Sequence, residues 1–336
     1  MSSSFLEYWE QVKFRLESEF RQWVPELFRD LPQSQVDAIL RSLKAGKRIR
    51  GCLVCLVCEA LDGDIDAAVS KAVGIECIQA ASLIHDDYVD GDKIRRNRPA
   101  EWTLQGSRQA VLLGDVIFAS VIGKMVEEGI EEGSLISKAI AAMAMGAYQE
   151  HLDRLKFERL AREGNYRPET YERVIHLKTG VLFAAAAQLG AIAAKASAPE
   201  RRRAFNFGAR LGEAYQIADD LVEVLKLEHL PRLRLTNLSA TGPILLRFSK
   251  MIPADLDEFS RNTSKLALRE FSLIKNRMRE EISARFESAN SEISDFPRNP
   301  YTHLLHEMPT EIIRSMELAS GIARLSLYGR TVTSAR

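Results

Sequence analysis

Two short stretches of this chain place acidic side chains where they are costly to hold. In "HDDYVDGDKIRR", residues 85 to 96, Asp86, Asp87 and Asp90 follow the apolar run "AVGIECIQAASLI" and precede the adjacent Arg95 and Arg96. In "GEAYQIADDLVEV", Asp219, Asp220 and Glu223 repeat the i, i+1, i+4 spacing after a second apolar run. On a helix of about 3.6 residues per turn, the first and last members of each set share one face, one turn apart. Like charges at that spacing destabilise a helix by roughly a few tenths of a kcal/mol. The carboxyl end of a helix is itself negative, which adds to the cost. A compensating cation is therefore expected. Mg²⁺ takes hard oxygen donors and is held by a few carboxylates together with substrate phosphates. A solvated helix end, its acids paired with Arg95, Arg96 and Arg98, would account for the first stretch taken alone. Two such helices facing each other would set six carboxylates around one cavity, which suits a cluster of Mg²⁺ ions gripping a diphosphate.

Cations stand nearby in the pattern. Arg95 and Arg96 offer bidentate donors for phosphate. "AGKRIRG" puts Lys47, Arg48 and Arg50 at the start of an apolar helix, and helix amino termini favour anions. "HLKTGVLF" puts Lys178 and Thr179 in a helix that is apolar downstream. A lysine entering an apolar face either snorkels to water or answers an anion.

These residues need long helices to position them, and 3.6-period patterns dominate the chain. Helices are predicted over 4–29, 33–44, 46–61, 65–90, 106–128, 134–163, 168–196, 200–228, 241–250, 265–290 and 308–327. Asp66, Ser134 and Pro168 suit helix starts. Breaks are expected at 61–64, 127–134 and 162–168, and 289–303 is the most loop-like segment. There is no convincing period-2 run, no glycine-rich dinucleotide loop and no repeat. One all-α domain over 1–336 is the economical reading.

Composition limits the alternatives. Among 336 residues, 46 basic side chains balance 46 acidic ones, which excludes a strongly basic nucleic-acid face as a global feature. The amino terminus is amphipathic and charged, with no apolar secretory core. The longest apolar run, 181–194, falls short of the ~20 residues that cross a bilayer, so no transmembrane segment is expected. Cys52, Cys55 and Cys58 have the spacing of a metal or cluster motif, but they lie in a continuous apolar run and read as one face of a buried helix. Nothing suggests disulfides, which points to a reducing cytoplasm.

Taken in order, "GKRIR" (46–50), "GIECIQAASLIHDDYVDGDKIRR" (74–96), "LLGD" (112–115), "YERVIHLKTGVLF" (171–183) and "GEAYQIADD" (212–220) closely resemble the trans-isoprenyl diphosphate synthases, or polyprenyl synthetases. The match covers roughly residues 40–225. The resemblance implies an isoprenoid synthase fold, with about ten main helices around a deep cavity and usually a homodimer. It implies that an allylic diphosphate ionises with Mg²⁺ assistance, three ions per site when substrate is bound. The double bond of isopentenyl diphosphate then attacks, and a proton is lost. Carried over by position, Asp86, Asp87 and Asp90 would hold metal on one side, and Asp219, Asp220 and Glu223 on the other. Arg95 and Lys178 would bind the allylic diphosphate. Lys47, Arg50, Gln79 and Arg96 would bind isopentenyl diphosphate. Thr179 and Gln216 would lie near the reacting carbons.

The second aspartate-rich region is degenerate. Glu223 stands where the family has a third aspartate, and the usual Gly-Lys pair is missing. Of the family's Lys-x-Thr-x-Pro segment, Thr241 and Pro243 remain, with Ser239 in place of the lysine; Arg232 or Arg234 could replace one lost cation. Two alternatives to chain elongation stay open: related prenyl diphosphate chemistry such as cyclisation or transfer to another acceptor, and a weakly active subunit regulating a partner synthase. In this family, the residues four and five before the first aspartate point down the growing chain. Here they are Ser82 and Ala81, both small, which implies a product of C20 (geranylgeranyl diphosphate) or longer, with Ile78 or Phe118 closing the floor.

Overall fold

The structure, a computed structural model, describes residues 4–44, 46–163, 169–228, 238–249 and 265–319. It begins with α1 (Phe5–Leu27), whose amino end is closed by a capping box between Ser4 and Glu7. Phe5, Trp9, Val12, Leu16, Phe20 and Val24 form its buried stripe, the spacing of an amphipathic surface helix. α2 (Gln33–Leu43) leads to α3 (Ile49–Ala60), which is buried on nearly every side. Its three cysteines are free and fully buried. Burial pushes the Cys58 thiol up to about 12, and Cys52 and Cys55 also rise, so none is a ready thiolate ligand. The apolar reading of that stretch holds.

α4 (Ile65–Val89) carries the first acidic stretch at its carboxyl end. Its cap is Asp64, which accepts from the Asp66 amide at 2.9 Å. The chain then makes a small antiparallel hairpin, β1 (Ile94–Arg95) against β2 (Arg98–Pro99). Arg96 and Asn97 form its turn with φ of 51° and 61°, the left-handed pair that a two-residue hairpin of this hand requires. This hairpin was not expected, because two-residue strands leave no visible period. After α5 (Glu101–Gln105), α6 (Ser107–Glu128) and α7 (Ile130–Arg162) run on with only Gly129 between them. The eight-residue break expected at 127–134 is therefore one residue wide, and Ser134 lies inside α7 rather than at its start.

α8 (Glu169–Ile175), a π turn (His176–Gly180) and α9 (Val181–Ala193) follow one another directly. The second acidic stretch sits on α10 (Ala198–Glu228). α11 (Leu238–Phe248), α12 (Lys265–Glu292) and α13 (Pro300–Ala319) complete the described elements. The loop expected over 289–303 is confined to the short span between α12 and α13. Pro168, Arg232 and Arg234 lie outside the described residues, as does the side chain of Ser239.

α3 lies at the centre against α4, α9 and α13, while α10 packs along α9 and α12. Among the described residues, three stretches, Ile65–Val89, Ser107–Glu128 and Thr170–Ala193, have the length and composition to cross a bilayer, which the longest unbroken apolar run did not reveal. The first and third are mostly buried inside the protein, at 72% and 78% of their most apolar window, against 33% for α6. Their apolar character goes into the core around the cavity described next.

Candidate active site

A cavity of about 700 Å³ opens between the ends of α4 and α10. α4 lines it with Gln79, Asp86 and Asp90, which recur along one face. α10 lines the opposite wall with Gln216, Asp219, Asp220 and Glu223. The hairpin contributes Arg95 and Arg96, the loop into α3 contributes Lys47, the first turn of α3 contributes Arg50, and the π turn contributes Lys178 and Thr179. Among the residues expected to hold metal or diphosphate, Asp87 is off this wall. It is 4% exposed, accepts from Arg95 Nε at 2.6 Å, and lies in a 180 Å³ recess behind the hairpin.

The π turn explains how Lys178 and Thr179, adjacent in sequence, both reach the cavity. Its extra residue widens the helix locally. It is seated by two close approaches. A Cβ on Gly212 of α10 would come within 2.9 Å of Gly180 Cα, and a Cβ on Gly146 of α7 within 2.7 Å of the Lys178 amide nitrogen. With α10 this close, Thr179 Oγ1 donates to Gln216 Oε1 at 2.7 Å, and Gln216 Nε2 donates to Asp220 Oδ1 at 2.9 Å. Tyr171 OH donates to the other Asp220 oxygen at 2.6 Å. One continuous hydrogen-bonded chain thus crosses the second wall.

The carboxyls line an open cavity, with Asp86 and Asp220 half-buried and Asp90, Asp219 and Glu223 exposed at its surface. Burial raises Asp86, against the pull of Lys178, and raises Asp219, with Glu223 adding to the effect. Burial pushes Asp220 up to about 7 despite its hydrogen bonds from Tyr171 and Gln216. A cation between the walls would offset this cost. Among the described residues, no three His, Cys, Asp or Glu side chains converge as a closed metal cage requires. Mg²⁺ asks for less, since it is commonly bound through one or two carboxylates plus substrate phosphates. An open set of hard oxygen donors on two facing walls fits that ion. Glu223 reaches the cavity but also accepts from Lys226 at 2.5 Å, with about half its side chain in solvent.

The cations divide into two groups. Lys178 Nζ donates to Glu150 Oε2 at 2.6 Å, and Arg95 is held by Asp87 and Asp92. Lys47, Arg50 and Arg96 make no ion pair among the described residues, and burial lowers the pKa of each. The Arg50 guanidinium stacks over Phe183, 4.3 Å from the ring centroid, and its buried Nε has no hydrogen-bond partner. Lys47 and Arg50 are half-buried and Arg96 is exposed, and unmatched cations lining a cavity are disposed to take an anion. Arg48 differs from its neighbours. It is 2% exposed, in the left-handed region at φ 56°, and donates to Glu17 at 2.6 Å beside Glu76. Glu76 accepts from the Gly51 amide at 2.9 Å, and Trp9 Nε1 donates to the Lys47 carbonyl at 2.7 Å. Arg48 therefore anchors the loop that presents Lys47 and Arg50.

The apolar end of the cavity is formed by Ser82 and Leu83 of α4, Phe118 of α6, and Ile140, Met143 and Ala144 of α7. Ala81 and Ile78 are fully buried in the core and off this wall. Of the two small residues singled out for product length, Ser82 lines the cavity and Ala81 does not. On the other side the cavity continues into a second of about 500 Å³, reached past Asp220 and Glu223 and walled by Tyr171, Thr241 and Pro243. Glu150 and Tyr171 were not anticipated. Each sits in an ordinary-looking helical stretch, and only packing brings it to the site. Behind the second wall, Glu213 accepts from Arg285 at 3.3 Å and from Arg210 at 3.0 Å, and lies 2.8 Å from His176. Arg285 and Arg247 both reach Glu172, tying α8, α11 and α12 together.

Comparison with known proteins gives one consistent answer. The polyprenyl synthetase family profile matches residues 33–229. The chain is 35% identical over 189 residues to heptaprenyl diphosphate synthase component 2 from Geobacillus stearothermophilus, covering 56% of this chain and 57% of that protein. It is 32% identical over 222 residues to geranylfarnesyl diphosphate synthase from Methanosarcina mazei, covering 66% and 72%. The match thus spans little more than half the length of the first of these relatives. In fold it is similar to a polyprenyl synthase from Caulobacter crescentus solved with calcium and isoprenyl diphosphate, with a TM-score of 0.68 and 24% identity over 93% of this chain and 98% of that one.

Proposed function

Because this chain belongs to the polyprenyl synthetase family, we propose that it is a Mg²⁺-dependent prenyltransferase that lengthens an allylic prenyl diphosphate with isopentenyl diphosphate. The observation that carries this reading is the division of the cavity: facing carboxylates on α4 and α10, and unmatched cations beside them. Asp86, Asp90, Asp219 and Asp220 would hold the metal, as many as three ions once diphosphate is present, with Glu223 at the edge. Asp87 would contribute through Arg95, which it positions. When bound, Mg²⁺ supplies charge neutralisation on the leaving diphosphate.

The protein's own groups do the rest. Arg95 and Lys178 take the allylic diphosphate, and Lys47, Arg50, Gln79 and Arg96 take isopentenyl diphosphate. The allylic C–O bond breaks, the second substrate's double bond attacks the resulting cation, and a proton leaves. The oxygens of Thr179 and Gln216, fixed by their mutual hydrogen bond, stabilise the cation or assist proton loss. The apolar walls exclude water that would quench it. With Ser82 facing the far end of the cavity, the product is C20 or longer.

We read residues 1–336 as one all-α domain acting in the cytoplasm as a homodimer. The intact cation group speaks against pure cyclisation, which needs no second diphosphate. Two observations favour a second reading: Glu223 is bonded to Lys226, and a relative is named component 2. On that reading this chain is a weakly active partner of another synthase.

The test is incubation with Mg²⁺, isopentenyl diphosphate and C5, C10 and C15 allylic diphosphates, with products read by mass spectrometry. A discrete longer prenyl diphosphate that disappears in Asp86→Ala is the expected result. Diphosphate release with a hydrocarbon or alcohol product would overturn elongation in favour of other prenyl chemistry. No turnover from any starter would favour the partnered reading.

A further inference from the structure

Lys178, which is assigned to substrate, makes a close cation–carboxylate contact with Glu150 on the diphosphate side of the cavity. Lys178 Nζ lies 2.6 Å from Glu150 Oε2, with side-chain exposures of 24% and 26%. Glu150 comes from α7, which carries neither acidic stretch, yet its charge acts on both walls, on Asp86 of α4 and on Asp220 of α10. Lys178 feels Asp86, Glu150 and Asp90 together, but among these its hydrogen bond is to Glu150. The pair is set by backbone. Gly146, four residues before Glu150, packs against the Lys178 amide, where any larger residue would collide. This fixes one turn of α7 against the π turn.

We propose that Glu150 is a positioning residue that latches Lys178 in the ligand-free protein and opposes diphosphate until a divalent cation is present. The inference rests on the reading of Lys178 as a ligand of the allylic diphosphate. An ammonium has three donors but one unit of charge. While Glu150 neutralises it, a bare diphosphate meets little net attraction there and is repelled by Glu150, Asp86 and Asp90. With Mg²⁺ between the carboxylates and the phosphates, the same Glu150 charge faces a cation and becomes favourable. The residue thus changes sign in its effect on anion binding according to whether metal is present. This would couple entry of diphosphate to entry of metal and keep the site closed to unmetallated anions.

The experiment titrates the folded full-length protein with inorganic diphosphate by calorimetry, first with chelator and then with excess Mg²⁺. The subsite at issue is the one weakened in Lys178→Ala. Glu150→Gln keeps the shape and an acceptor oxygen but removes the charge. Without metal, the variant is expected to bind about tenfold more tightly than the parent, the lower end of what a charge-assisted hydrogen bond carries. With Mg²⁺, that advantage vanishes or reverses. In the Lys178→Ala background, Glu150→Gln gains less than about threefold, because the latch has nothing to release. Three outcomes overturn the proposal: unchanged or weaker metal-free binding in Glu150→Gln, a full gain without Lys178, or no diphosphate binding by either folded protein. No prenyl substrate is used, so a protein that behaves as expected here but forms no elongated product would sink the proposed reaction and leave the latch standing.

Discussion

On the side of the cavity walled by α4, α7 and the π turn, each cation meets a carboxylate: Arg95 bonds Asp87, and Lys178 bonds Glu150. On the side reached from α3, Lys47, Arg50 and Arg96 meet none, and burial lowers their pKa. The first side is balanced against itself and needs an added cation before it can accept more negative charge. The second is electrostatically open to an anion from the outset. The fold does not merely collect charges around a hole. It leaves one half unsatisfied and satisfies the other internally, so that on the proposed function the two diphosphates would be handled by different physics.

The comparison breaks most readily at Asp86. Its loss removes a wall donor on the metal-dependent side, and Asp86→Ala is expected to lower turnover about a thousandfold. Near-normal turnover at saturating Mg²⁺ would show that the first wall is not the metal side. Arg50→Ala addresses the other half. It should raise KM for isopentenyl diphosphate about ten- to a hundredfold, the range of a charge-assisted contact, while leaving the Mg²⁺ dependence alone. A shifted Mg²⁺ requirement would show that the two halves are not separate.

The third test concerns the scaffold behind both. Burial alone would raise Glu213, but the hydrogen bond with His176 and the Arg210 and Arg285 guanidiniums outweigh it, and its pKa is lowered. A carboxyl depressed on folding contributes stability that is present above its unfolded value, near ~4.3, and is lost as pH falls through the lower folded value. Glu213→Gln should therefore cost about 2 kcal/mol at pH 7, read by chemical denaturation. The gap should close as the pH is taken below about 4. A gap that persists in acid would mean the cost was packing rather than charge. The smallest rate effect is expected at the apolar end. Ser82→Phe should shorten the product while changing turnover only severalfold. Ala81→Phe, buried in the core, should instead destabilise the protein by about 1–3 kcal/mol through overpacking. Shortening by Ala81→Phe without a stability loss would place the cavity floor differently.

Much of this was legible from local pattern. The two acidic stretches were recognisable because a helix has a fixed period, so i and i+4 share a face wherever the helix goes. The cysteine run was readable as core because a continuous apolar segment leaves no loop to fold around a metal. Other features left no local trace. The hairpin over Ile94–Pro99 has too few residues to show alternation, and the break at 127–134 closed to Gly129 because α6 and α7 are both good helix formers up to that residue.

The sequence by itself determined the all-α character, the two carboxylate sets and the set of cations from which the site is drawn, because residue type and helical period are local properties. Only the tertiary structure decided which of those residues act on the cavity and which serve the frame. Asp86 faces the cavity and Asp87 faces Arg95, since neighbours on a helix are turned about 100° apart. Arg50 is unmatched while Arg48 is spent on Glu17 and Glu76. Glu150 and Tyr171 join the site from stretches that look unremarkable alone. Those assignments depend on which helix comes close to which, at Gly146, Gly180 and Gly212, and such contacts between distant parts of the chain have no signature in the order of residues.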